Sequence, residues 1–321
     1  MGLSPMTHAA KILLALLCAL PAACGRDARE AGASRSEQAA RRDALPTSWR
    51  LPAGWIWVTE TREGYAVGLP GLPRGRASAD HSVSMLTRET PSATYTIARR
   101  AGLGDPAGTF RTGALGGGGT LVTDEAWRGN GRAFEVRSPA GIEQARILLR
   151  ADDALVLSVM SPAQVDAAPF FESLTFDALT TPRRVHHDEG RFSIEAPVRV
   201  NPLVDESAQP VLRGLHGLRD GVQIAAMYVA APITAETSVA LEAGMRSAVR
   251  DMPGELLSSE PRDGPTGPEL WYRCRAQDGT FGSVRTTYAN GNLYTIATYA
   301  HVGEEPPWAQ HYLESFTLDG R

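Results

Sequence analysis

Seven histidines, three cysteines and a single lysine are the side chains from which this 321-residue sequence could assemble a reactive site. His186-His187-Asp188 is the one place where such residues cluster. Neighbouring side chains on an extended chain point to opposite sides, so two adjacent imidazoles do not easily grip one ion. A solvated linker is therefore expected there in preference to a metal site. His8, His81, His216, His301 and His311 stand apart in the sequence, and neither a Gly-x-Ser-x-Gly elbow nor a His-Glu-x-x-His occurs. A catalytic group drawn from distant residues stays open, because triads are defined by geometry and not by order along the chain.

Two other stretches invite a chemical reading. Gly102-Leu103-Gly104-Asp105-Pro106-Ala107 formally fits the dinucleotide fingerprint, which needs a helix to begin at its glycines and face the pyrophosphate. Pro106, Gly108 and the run Gly116 to Gly119 resist helix formation, so a long surface loop without nucleotide is expected. Asp152-Asp153 pairs two acids, but at a hairpin tip, where such residues are ordinary turn formers. Lys11 is the one lysine among 32 Lys and Arg. Walker phosphate loops, Schiff bases and Ser-x-x-Lys acyl transfer all need an amine, so those chemistries are excluded and no cofactor is expected.

The elements that would position anything reactive begin after an address segment. Ile12 to Leu20 is an apolar run of nine residues, too short for a bilayer span of about 20, with Lys11 before it and Ala22-Ala23 after it. That is the layout of a secretory signal, with either Met1 or Met6 as its start. Leu20-Pro21-Ala22-Ala23-Cys24-Gly25 resembles a bacterial lipobox, with Pro21 where that pattern usually has an aliphatic residue. The resemblance implies a lipid on the Cys24 thiol and a mature chain beginning at Cys24. Cys18 would be discarded, leaving Cys274, which is expected to be a buried small hydrophobe. Residues 26–46 mix charges with alanine and carry no apolar stripe, the character of a flexible tether.

The folded body has a globular composition, 43% hydrophobic and 21% charged. A net charge of −4 implies no basic surface, so nucleic acid is not an expected partner. A segment pattern occurs twice. The hairpin around Arg146 returns at Arg285, 139 positions on, and the closing segment around Glu172 returns at Glu314, 142 positions on. Asp220-Gly221 and Asn290-Gly291 mark hairpin turns, and apolar residues at Leu241, Met245 and Val249 mark a helix over about 235–252. Trp308, Tyr312 and Phe316, four apart, read as a helix face against a sheet.

Phe192-x-Ile194-x-x-Pro197, the central helix, Leu293-Tyr294 after a hairpin turn and Glu314-Ser315-Phe316 together resemble the PsbP-like fold family. That family was named for an extrinsic photosystem subunit and also occurs in bacterial lipoproteins. The resemblance implies an α+β class: two tandem copies of an antiparallel sheet flanked by helices, an α/β/α sandwich. The expected boundaries are 1–23 signal peptide, 24–48 tether, 49–180 first copy and 183–321 second copy. The family shares no catalytic residues, so Cys24 is the only site residue named. The expected role is a lipid-anchored envelope protein that binds an envelope protein or a small molecule without catalysis, on the inner or outer membrane. An apolar or aromatic binding surface is expected at the cleft between the copies, near Trp271 and Tyr272. The alternatives are an envelope hydrolase with a dispersed site, in which a histidine and an acid meet a serine or threonine, and a structural role in which one copy mounts the other.

Overall fold

The computed structural model describes residues 49–77, 83–101, 105–150, 153–176, 181–206, 208, 210–231, 237–251, 254–300 and 305–319. They form two compact units, residues 49–64 with 181–319 and residues 65–176. The larger unit receives β1 (Ile56–Glu60). The smaller unit holds β2 (Tyr65–Leu69), β3 (Arg74–Ala77), β4 (Val83–Glu89), β5 (Thr94–Ala101) and α1 (Pro106–Gly116). It continues through β6 (Thr120–Trp127), β7 (Gly131–Ser138), β8 (Gly141–Leu149), β9 (Asp153–Ser161) and α2 (Ala168–Ser173). The larger unit resumes with β10 (Arg183–His187), β11 (Phe192–Ala196), β12 (Asn201–Asp205), β13 (Leu212–Arg219) and β14 (Val222–Ala230). Then come α3 (Thr237–Asp251), β15 (Gly254–Gly264), β16 (Gly267–Ala276), β17 (Phe281–Ala289), β18 (Asn292–Ala300), α4 (Pro307–Glu314) and β19 (Thr317–Leu318).

Among the described residues the protein is mostly β, with 57% in strands and 16% in helices. This overturns the helix-flanked α+β sandwich expected from the sequence. Among the described residues four helices run only 11, 6, 15 and 8 residues, against several wide antiparallel sheets. Two strands the pattern did not announce, β6 and β15, widen each sheet. β15 carries Pro261, which cannot donate to a ladder and is tolerated because the strand lies at the sheet edge.

The smaller unit has one antiparallel sheet in the order β3-β4-β5-β9-β8-β7-β6. The larger has β12-β13-β14-β18-β17-β16-β15, with β1 running parallel to β13 beyond β12. The same order appears in both, with a helix leading into β6 in one and β15 in the other. Each of those outer hairpins slips register at one position, between Leu121 and Thr123 and between Leu256 and Ser258. A separate sheet, β10-β11-β19, belongs to the larger unit.

The expected turns are where the residue types demand. Asp220 and Gly221 join β13 to β14 at φ 48° and 79°, and Asn290 and Gly291 join β17 to β18 at 52° and 76°. Both central residues of such turns need positive φ, which Asn, Asp and Gly tolerate. The main sheet of the larger unit buries both faces. Leu241 and Met245 of α3 pack with Met227, Tyr272 and Tyr299 on one face. On the other, Tyr312, Leu313 and Phe316 pack with Phe192, Tyr294 and Ile296, and Trp308 lies partly buried against them. The 49–55 segment is strapped to this unit: Asn201 accepts from the Leu51 N–H at 3.0 Å and donates to the Trp55 carbonyl at 2.9 Å. Trp57 Nε1 donates to the Trp49 carbonyl at 2.6 Å.

In place of the expected glycine loop, residues 106–116 form α1. Asp105 accepts from the Gly108 N–H at 2.8 Å and Pro106 occupies the first turn, so a start signal outweighs the glycines' conformational freedom. The helix follows β5, whose neighbours β4 and β9 are both antiparallel, so it is no parallel β-α-β nucleotide unit. Gly102 to Gly104 lie outside the described residues.

Glu60, at the end of β1, has its pKa raised from 4.5 to about 7, first by burial and then by Asp220 and Glu63. Its folded pKa therefore exceeds its unfolded one. The stability it contributes is complete below about pH 4.5 and is lost as pH rises through 7. Urea unfolding should show a loss on the order of 2 kcal/mol between pH 5 and pH 8 from this group. Glu60→Gln should flatten that part of the profile, and an unchanged pH slope in the variant would contradict the assignment.

Candidate functional site

The outer strands of the main sheet in the larger unit twist beyond the cover of α4 and leave a groove of about 260 Å³. Ser258, Glu260 and Arg262 come from β15, Trp271 and Arg273 from β16, Ser283 from β17, and Gln310 and Leu313 from α4. Cross-strand pairing sets the arrangement. Glu260 stands opposite Trp271, Trp271 opposite Arg285, and Arg273 opposite Ser283, so all project to the α4 side.

Beneath the groove lies a buried ion pair. Arg285 makes two hydrogen bonds to Glu269, at 2.6 and 2.9 Å, and two more to the carbonyls of Leu313 and Phe316. Its side chain is 7% exposed and that of Glu269 is 4%. Burial of such a pair is tolerable because the remaining donors are satisfied. Glu269 also accepts from Trp271 Nε1 at 3.1 Å, which fixes the indole. The Arg285 guanidinium lies over both Trp271 and Phe316, at 5.3 and 5.5 Å, and Arg262 lies over Trp271 at 4.5 Å. The result is a stacked column, Phe316–Arg285–Trp271–Arg262, that ends at the surface. The remaining charges at the rim are paired, Arg262 with Glu260 at 2.7 Å and Arg273 with Glu305 at 2.9 Å. The Ser283 hydroxyl, buried at the base, has no hydrogen-bond partner.

A second groove, of about 500 Å³, is lined by Arg50, Leu51, His186 to Glu189, Asn201 to Val204 and Arg213. His186 and His187 occupy the end of β10 and are not a solvated linker, which corrects the sequence reading. Their side chains part as strand geometry requires. His186 Nδ1 faces Asp319 at 3.1 Å and Ser193 at 3.2 Å, and its Nε2 faces Asp188 at 3.1 Å. His187 stacks on Phe192 with centroids 5.1 Å apart and accepts from the Gly190 N–H at 2.9 Å. Burial, opposed by Glu189 and Asp188, holds the His187 pKa below the usual imidazole value. Sequence order hid this meeting, because Asp319 lies more than 130 positions from His186. The fold therefore does bring a histidine, acids and a serine together. In a hydrolytic triad the serine and the carboxylate take opposite ring nitrogens. Here Asp188 takes Nε2, opposite Ser193, but Asp319 competes for Nδ1 and the Ser193 hydroxyl donates to Asp319 at 3.4 Å.

The other singled-out residues serve packing or pairing. His216 is buried, and burial pushes its pKa down to about 4. His311 meets Glu195 at 2.8 Å. Asp153 accepts from Arg150 and Arg99, both at 2.6 Å, and the Arg150 hydrogen bond leads in lowering its pKa. Cys274 is buried, and burial raises its thiol to about 11. Both residues of the expected pair line the groove, although Tyr272 is itself buried in the core cluster with α3. Cys24, Asp152, His81 and His301 lie outside the described residues. Among the described residues no group of three or more His, Cys, Asp or Glu is placed to hold a metal ion, and no helix is long and apolar enough to cross a membrane.

No family model matches the chain, and no curated protein matches it in sequence. Among solved structures it is similar to the solution structure of cyanobacterial PsbP (CyanoP) from Synechocystis, at 15% identity and a TM-score of 0.35. That match covers 43% of this chain and 93% of the other. It is also similar to the type VI secretion immunity protein TplEi of Pseudomonas aeruginosa, solved with a peptide, at 9% identity and a TM-score of 0.26. That match covers 83% of this chain and 98% of the other. The Tle4–Tli4 complex matches at 10% identity and a TM-score of 0.25, over 83% of this chain and 97% of the other. At these identities and scores none of the resemblances assigns a role to a residue of this chain.

Removing Arg285 alone leaves Glu269 buried without its counterion, a loss of about 3–5 kcal/mol. Arg285→Met should lower the urea midpoint accordingly. The double variant Glu269→Leu with Arg285→Met should recover most of the loss, because neither charge then stays buried.

Proposed function

We propose that this protein is a lipid-anchored binding module of the bacterial cell envelope whose main site is the Trp271 groove and whose partner is a protein. The observation that carries the reading is the stacked column ending at Trp271 and Arg262. Tryptophan and arginine are the residues that dominate binding energy at protein interfaces, in pockets held rigid from below. A groove of about 260 Å³ lies under the usual range for small-molecule sites and suits one inserted side chain. The charges of the rim are paired with one another, Arg262 with Glu260 and Arg273 with Glu305, so the groove presents a neutral, aromatic-floored recess. The shared strand order of the two sheets supports reading them as copies of one unit, only one of which carries this column.

The address rests on the leader and on Cys24. In membrane fractionation, Cys24→Ser should move the protein to the soluble fraction, and a variant that stays with membranes would refute the lipid anchor. For the groove, the full chain in detergent should co-purify with an envelope protein that Trp271→Ala, folded by circular dichroism, fails to retain. Equal capture by both chains would move the binding site elsewhere.

A further inference from the structure

The seat that Arg262 occupies on Trp271 has the composition of a receptor for a basic side chain. Cation recognition over an aromatic face needs a π surface and carboxylates to one side. Trp271 supplies the surface, and its edge is pinned by Glu269 through the indole N–H. Glu260 grips the guanidinium at 2.7 Å. The charge of Glu314 on α4 also acts there, and with Glu260 first among the causes the Arg262 pKa is held above the ordinary guanidinium value. Glu269 is committed to Arg285, so Glu260 and Glu314 are the carboxylates without a second cation.

Nothing locks Arg262 into this seat. It sits on an edge strand whose side chains are exposed, its own side chain is 40% exposed, and its one hydrogen bond to a side chain is to Glu260, itself 62% exposed. An exposed ion pair of this kind is screened by water and holds its partner only weakly. Arg285, four hydrogen bonds deep on the far side, cannot leave. The column thus has one fixed cation and one replaceable cation.

We propose that a basic side chain of the protein partner, arginine foremost, displaces Arg262 and takes its place over Trp271 against Glu260 and Glu314. Arg262 is then a stand-in that keeps the seat filled and the indole covered while the partner is absent. This rests on the groove being the binding site. It adds the chemistry of the residue received.

The probe is N-acetyl-argininamide, with the uncharged isostere N-acetyl-citrullinamide as control. Binding is followed by NMR on the Trp271 indole N–H, assigned with Trp271→Phe, using the full chain in detergent. Arg262→Ala should bind the arginine amide about fivefold more tightly than the unaltered protein does. It should discriminate against the citrulline amide by a similar factor, and adding Glu260→Gln should remove the gain. If Arg262→Ala gains nothing, or binds both amides equally, the seat is not a basic-residue receptor. That outcome is separable from the fate of the groove, because loss of partner capture by Trp271→Ala would stand even where the arginine amide fails.

Discussion

The bidentate pair of Arg285 and Glu269 is the constraint around which the larger unit is arranged on its α4 face. One guanidinium joins β16 to β17 through Glu269 and ties the end of α4 to the sheet through the carbonyls of Leu313 and Phe316. The Leu313 carbonyl lies in the last turn of a short helix and Phe316 follows its cap, so the first needs a donor that the helix itself lacks. Arg285 supplies it from the sheet. An arginine is required here because only its planar fork offers enough donors to serve a carboxylate and two carbonyls together. Trp271 and Phe316 shield the pair from water, which strengthens it, and in return their rings are held flat against a fixed cation. The groove's rigidity descends from that arrangement.

The outer hairpin β15–β16 extends the sheet beyond α4 and so creates the groove. It also creates an edge, and exposed edges invite pairing with other chains. The sequence of β15 blunts it. Pro261 removes a donor, the irregularity between Leu256 and Ser258 breaks the ladder, and Glu255, Glu260, Arg262 and Asp263 place charge along the strand. A blunted backbone edge leaves the face of this hairpin as the surface on offer, which agrees with the side-chain recognition proposed for Trp271.

Much of this was legible in the residues. Asn290-Gly291 and Asp220-Gly221 dictate their turns, the spacing of Leu241 and Met245 dictates α3, burial of Cys274 follows from strand alternation, and that of Tyr312 and Phe316 from their four-residue spacing. Other features were not, for physical reasons. β6 and β15 are edge strands exposed enough to lose the apolar alternation that announces a strand. α1 is started by Asp105 and Pro106 in spite of its glycines, a local capping effect stronger than composition. β1 joins β13 in parallel, and no local signal encodes a pairing across about 160 positions. The same holds for the site. Trp271 could be singled out as an aromatic in a strand, but the meeting of Glu269 with Arg285 and of His186 with Asp319 exists only once the sheets form.

The histidine groove and the tryptophan groove show how the same ingredients lead to different ends. His186 has a carboxylate at each ring nitrogen, and the Ser193 hydroxyl beside it points to Asp319. Such a network joins the end of β10 to the segment after β19 and fastens the small sheet along its edge, a structural duty. At Trp271 the outermost group of the column is exchangeable while everything beneath it is fixed. Rigidity below and exchange above is what a recognition site needs, since the cost of ordering the receptor is met on folding and not on binding. That difference in what can move, more than any difference in residue type, is what supports the binding role proposed for Trp271.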